Sequence, residues 1–220
     1  MTNARKPVVE LAVALVGIFV AMYGLVLFNR HLLMSFSLHS RMVLMIVTQW
    51  FLVLVPGLLM LTRKDNIRDI GFRKVRVPKQ IILGVLAALG LSLVLTVLPI
   101  LSGFRDLVGS TSYTEAWQFI YTFFYMIVGV ALAEEIVFRG YIFHKLLEIR
   151  DCRWFAIIIS SVIFGISHAF SGDVLQVFMT AGLGVIFCLF REKIEDYTTL
   201  SLIITHGVYN GLIQLFVAVL

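Results

Sequence analysis

The stretch AWQFIYTFFYMIVGVALAEEIVFRGYIFHKL, residues 116–146, decides how the rest of the chain is read. It is long enough to cross a bilayer, which takes about 20 apolar residues, yet it carries Glu134, Glu135 and Arg139 in its interior. Apolar segments of similar length lie on both sides, at roughly 8–28, 42–62, 80–101, 154–170, 174–190 and 198–220. The gaps between them are short, so the expected fold is all-α: one polytopic membrane bundle of about seven transmembrane helices, spanning 1–220 as a single integral membrane domain. Bulk composition agrees. The chain is 60% hydrophobic and 14% charged, with a mean hydropathy of +0.98, against roughly half apolar and a quarter charged in soluble domains.

The first segment follows Arg5 and Lys6. It is too long for the core of a signal peptide and lacks a small-x-small cleavage site, so it reads as the first span. Pro7 and Pro78 fall at helix starts, where a missing N–H costs little, and Pro56 is expected to kink the second helix. The fourth segment is long enough to tilt or to run past the bilayer. Ser171-Gly172-Asp173 reads as a tight turn between two segments at the short end of the spanning range. No internal repeat is present.

A net charge of +5 and an isoelectric point near 9.4 raise the question of nucleic acid. The basic residues occupy short loops, and no basic face or aromatic stacking platform stands out, so the charge points to the lipid bilayer and to no nucleic acid. With the N-terminus inside, the inner loops hold Arg5, Lys6, seven basic residues over 63–79, Lys145, Arg150, Arg153, Arg191 and Lys193. The outer ones hold only Arg30, Arg41 and Arg105. The expectation is a cytoplasmic N-terminus and, after seven spans, a C-terminus outside. The seven basic residues over 63–79 fit topology control. A second reading is that Lys74, Arg76 and Lys79 draw acidic peptide or anionic lipid towards an interior site. Cys152 and Cys188 form no spacing motif and read as small packed residues with reduced thiols.

A charge at the centre of a bilayer costs about 2.5 to 3.5 kcal/mol on insertion scales, so such residues usually face the bundle interior and serve a function. Besides the three in the fourth segment, the fifth holds His168, four residues after Phe164, and the seventh holds His206 and Asn210. Each alone reads as a polar packing group between helices. Depth separates that reading from a shared site. At 1.5 Å per residue, Glu134, His168 and Asn210 each lie about 20 Å from the presumed inner end of their helix, with His206 one turn shallower.

Glu135 and Arg139, at i and i+4, share a face and are suited to an ion pair. Glu134 points roughly 100° away, and a carboxylate in a poorly solvated cavity suits a general base. His206 and Asn210 share a face and can aim two donors at one point, as an oxyanion requires. Gly207 and Gly211 form a small-residue stripe that lets a neighbouring helix approach. Ser167 is expected to face away from His168, and Ser201 lies more than a turn from His206. With no nucleophile in place, attack by an activated water is the simplest chemistry, with no cofactor. Zinc is the competing idea, held by Glu134, His168 and His206, but His-Glu-x-x-His is absent.

Taken together, Glu134-Glu135-x-x-x-Arg139, Phe164-x-x-x-His168 and His206-x-x-x-Asn210 resemble the three-motif signature of the CAAX protease and bacteriocin-processing (CPBP, Abi) family. The resemblance covers about 116–215, the expected catalytic core; the first three helices, 8–101, vary in that family. It implies a glutamate-type intramembrane endopeptidase related to the type II CAAX prenyl endopeptidase. Carried over, Glu134 and His168 would activate water, His206 and Asn210 would stabilise the oxyanion, and Glu135, Arg139 and Phe164 would support them. The substrate would be a membrane-associated peptide or protein. The chain looks like a bacterial, multi-pass cell-membrane member, with roles such as peptide maturation or bacteriocin immunity. Two other readings stand beside it: a proton-coupled transporter, whose broken helices should then match between halves, and a non-catalytic immunity or partner protein.

Overall fold

A computed structural model describes residues 5–171 and 174–220 of the chain. Among these residues seven helices are long and apolar enough to cross a membrane. They are α1 (Lys6–His31), α2 (Leu38–Arg63), α3 (Val77–Leu101), α4 (Ala116–Ile149), α5 (Arg153–Phe170), α6 (Val174–Lys193) and α7 (Thr199–Val219). Helices are the form that lets such segments satisfy every backbone N–H and C=O without water. The protein is a multi-pass membrane protein with no strand among the described residues. Gly172 and Asp173 of the expected tight turn lie outside them.

The starts of the helices follow local chemistry. Ser37 caps α2 by accepting from the Ser40 amide at 3.4 Å. Glu115 and Gln118 form a capping box ahead of α4, and Thr198 and Ser201 form another ahead of α7, each satisfying amides that have no partner within the helix. Pro78 stands in the first turn of α3. The interruption in α2 falls at Trp50, between helical stretches Leu38–Gln49 and Phe51–Arg63. Pro56, the expected kink position, lies inside the second stretch and is buried there.

α4 runs from Ala116 to Ile149, long as expected, but it is not a uniform α-helix. Met126–Ala131 and Ile136–Ile142 are π-helical, with the α-helical turn Leu132–Glu135 between them. Leu93–Val97 of α3 is also π-helical. Such turns recur at functional sites. Here they bracket the two glutamates.

α5 and α6 pack along each other, and α7 lies against α3 and α4. The approach of α7 to α4 requires Gly207: a Cβ there would stand 2.7 Å from the Ile127 Cα. One apolar cluster joins α1, α2, α4 and α5 around Ala14, Phe138, Tyr141 and Phe164. A second joins α3, α6 and α7 around Ala88, Phe187, Leu202 and Tyr209.

The connection between α2 and α3 is pinned to the start of α7. Thr199 Oγ1 donates to the Ile70 carbonyl at 2.7 Å, and Thr198 Oγ1 donates to Gln80 Oε1 at 2.5 Å. The fully buried Gln80 in turn donates to the Arg73 and Val75 carbonyls. Gly71 takes φ +90°, a left-handed turn that suits a residue without Cβ. Beside this connection Asp196 accepts from Lys79 at 2.8 Å and Arg76 at 2.9 Å. The lysine first and the arginine second hold its carboxyl below the usual carboxylate range.

Candidate active site

Glu135 is fully buried and serves two partners with one oxygen. Its Oε1 accepts from Arg139 Nη1 at 3.0 Å and from His206 Nδ1 at 2.8 Å. The expected i, i+4 pair is present, and the bond to His206 on α7 is one that helix spacing alone gave no means of finding. Arg139 is 1% exposed. Its guanidinium lies 3.9 Å over the Phe164 ring and 5.2 Å from that of Phe187, so ring faces replace part of the water that a buried cation loses. Phe164 accordingly supports Arg139 directly. It also meets the His168 ring edge-on at 4.9 Å and that of His206 at 6.1 Å.

His168 lies in the last turn of α5, at a change from α to 3-10 geometry. Its Nδ1 lies 2.9 Å from the Phe164 carbonyl. A carbonyl only accepts, so Nδ1 carries a proton in this contact. Ser167 corrects an expectation, because its Oγ stands 3.3 Å from the same Nδ1, brought there by the altered helix pitch. It is buried and donates to the Phe164 carbonyl at 2.7 Å, which makes it part of the support of His168. Ser201 is buried in the α7 capping box.

Glu134, His168, His206 and Asn210 line one cavity of about 560 Å³. The Oε2 of Glu134 is buried and accepts no hydrogen bond among the described residues, with His206 Nε2 the nearest basic nitrogen at 3.8 Å. Phe164 and Phe187 wall the same cavity, whereas Glu135 does not reach it. The division of labour between the glutamates is therefore geometric: Glu134 faces the cavity and Glu135 holds α4 to α7.

Around the four polar groups the wall is mostly apolar, with Leu95, Leu107, Leu175, Leu183 and Ile213, interrupted by Thr96, Asp106, Gln176 and Tyr209. Sequence reasoning missed these. Tyr209 looks like any aromatic in an apolar span, and Asp106 belongs to the one-turn helix Arg105–Val108 between α3 and α4. Glu134 and His206 were also possible metal ligands with His168. Among the described residues no group of three His, Cys, Asp or Glu side chains is gathered closely enough to hold a metal ion. Cys152 and Cys188 are both free thiols, the latter buried.

Comparison with known proteins adds one finding. No curated protein and no solved structure matches the chain. One family model does, described as type II CAAX prenyl endopeptidase Rce1-like, over residues 116–212. That span, under half of the chain, contains Glu134, His168, His206 and Asn210, and α4 to α7 are similar to this Rce1-like family over it.

Proposed function

We propose that the chain is an intramembrane endopeptidase that hydrolyses a peptide bond of a membrane-associated peptide or protein with a water activated by Glu134 and His168. The observation that carries this reading is the convergence of Glu134, His168, His206 and Asn210, from three helices, on one largely apolar cavity. The water gives a proton to Glu134 while its oxygen bonds to the peptide carbonyl carbon, and His168 Nε2 accepts the water's other hydrogen bond. The carbonyl oxygen becomes an oxyanion, met by the Asn210 amide and by His206 Nε2. That nitrogen donates when the ring carries both protons, with Glu135 as its counter-ion at Nδ1. As the C–N bond breaks, the proton held on Glu134 passes to the leaving amine.

The site residues need no cofactor for this sequence of steps. The proposed setting is the cell membrane of a bacterium, with the basic loops in the cytoplasm. The cavity is walled by the halves of α3, α5, α6 and α7 remote from those loops. In that orientation it is entered from the opposite side of the membrane.

The test is peptide mass spectrometry on host membranes carrying the wild type or Glu134→Ala at equal expression, with and without a zinc chelator. New peptide termini that vanish in the variant and survive the chelator are the expected result. Loss in the chelator as well would replace the water-only mechanism with a metal-assisted one. Identical termini in both membranes would refute the protease reading and leave a non-catalytic partner or a transporter.

A further inference from the structure

A second cavity, of about 790 Å³, lies at the basic end of the bundle and shares no lining residue with the first. Its walls are the connection from Arg68 to Gln80, the last turns of α4 from Arg139 to Leu147, and the end of α6 with the loop to Thr198. We propose that it is a binding site for a phosphate-bearing anion, either inorganic phosphate or the headgroup phosphate of a phospholipid.

Arg191 is a fixed cation in this wall. Its side chain is only 10% exposed, its guanidinium lies 4.0 Å over the Phe143 ring, and its Nη1 donates to the Arg139 carbonyl. A guanidinium stacked and tethered in this way is a fixed fork of donors, the form in which arginine recognises phosphate. Arg68, Arg73 and Lys193 line the same cavity, and among the described residues none of them is within ion-pair distance of a carboxylate.

Four acids also stand in the wall, and none of them pairs with Arg68, Arg73 or Lys193. Asp196 is held by Lys79 and Arg76, Glu195 lies 3.9 Å from Arg76, Asp69 accepts from the Asn66 amide at 2.7 Å, and Glu192 is shared by Arg153 at 3.1 Å and Arg191 at 3.5 Å within the cavity wall. Uncompensated positive charge therefore faces a concave space, where low-dielectric walls concentrate its field. Cations arranged around a cavity suit a tetrahedral anion with several oxygens better than a planar carboxylate, which a single fork satisfies.

The site is also formed in advance. The hydrogen bonds from Thr198 to Gln80 and from Thr199 to Ile70 fix its two loops, so binding carries little ordering cost. Its place where loops meet helix ends is the depth at which basic pockets receive lipid headgroups. Of the basic residues of 63–79, Arg76 and Lys79 are occupied by Asp196; Arg68 and Arg73 line the cavity instead.

The experiment uses the full chain in phosphatidylcholine nanodiscs. Inorganic phosphate is titrated at constant ionic strength and followed by phosphorus NMR line width, and in a second arm discs containing phosphatidylglycerol are analysed by native mass spectrometry for retained lipid. Saturable phosphate binding is expected. The triple variant Arg68→Gln, Arg73→Gln, Lys193→Gln, all on exposed positions, should weaken it about tenfold or more, the loss of charge-assisted hydrogen bonds. Arg191→Gln should do the same. Lys64→Gln, Lys74→Gln, Arg150→Gln, which removes equal charge outside the cavity, should change it less than about twofold. Retained phosphatidylglycerol that blocks phosphate assigns the headgroup as the source; phosphate binding without retained lipid assigns the free anion. Absence of both in the wild type, or equal weakening by the two triple variants, would overturn the proposal. So would preferential binding of a peptide bearing a free C-terminal carboxylate.

Discussion

Glutamine at position 134 and glutamine at position 135 should produce opposite failures. Glu135 is fully buried and its Oε1 accepts from both Arg139 and His206. Glu135→Gln keeps the shape but leaves the buried Arg139 charge without its counter-ion, a loss of about 3 to 5 kcal/mol. For a chain of this size each kcal/mol shifts Tm by roughly 2 to 4 °C, so the variant should melt on the order of 10 °C below wild type. Glu134 lines the cavity, and its Oε2 accepts no hydrogen bond among the described residues. Glu134→Gln should therefore cost no more than about 0.5 kcal/mol while lowering cleavage roughly 10²- to 10⁴-fold, as loss of a general base does. Melting followed by tryptophan fluorescence in detergent reads the first quantity. Time courses of the peptide termini that depend on Glu134 read the second. The double variant Glu135→Gln, Arg139→Met should recover much of the lost Tm without recovering cleavage, because His206 stays unsupported. Wild-type melting of Glu135→Gln, or equal destabilisation by both single variants, would refute the assigned division between the glutamates.

Gly207→Leu places side-chain carbon against the Ile127 backbone and should cost about 1 to 3 kcal/mol; a wild-type Tm with intact cleavage would show that α7 needs no close approach to α4. Burial, opposed in part by the hydrogen bond with Thr205, pushes the Tyr197 hydroxyl up to about 12. A raised value means that its contribution is complete below the unfolded value of about 10 and is lost as pH rises towards 12, about 2 to 3 kcal/mol in all. The Tm of wild type should accordingly fall more steeply above pH 10 than that of Tyr197→Phe, and parallel slopes would contradict this. In a background lacking Cys152 and Cys188, a cysteine at Ser110 should react with an impermeant maleimide added to whole cells and one at Lys74 should not; the reverse pattern would invert the orientation and put the cavity within reach of the cytoplasm.

The seven spans were legible because lipid imposes a coarse rule, long apolar runs with satisfied backbones, which composition and length express directly. The four cavity residues were legible for the converse reason: Glu134, His168, His206 and Asn210 are costly in that setting, and counting 1.5 Å per residue put them in one layer. What escaped depends on departures from the regular helix. The bond from Glu135 to His206 joins residues far apart in sequence, and no i, i+4 rule reaches across helices. Ser167 was placed facing away from His168 on an ideal wheel, but α5 tightens at His168. The interruption at Trp50 carries no local signature. The basic loop looked uniform as a string of charges, yet folding pairs Arg76 and Lys79 with Asp196 and sends Arg68 and Arg73 to a cavity wall.

The two π-helical stretches of α4 have a mechanical consequence for the glutamates. A π turn accommodates an extra residue while the helix axis continues, so everything beyond it is rotated about that axis. With one such stretch before Leu132 and another after Glu135, α4 behaves as a shaft with two couplings. The bearing of the central carboxylates is set independently of both ends. The N-terminal end can meet α2, and the C-terminal end can meet α1 and the basic loops, each on its own register. A one-residue deletion within either stretch would restore ordinary pitch there, and would turn the glutamates relative to one end of the bundle while leaving the other in place.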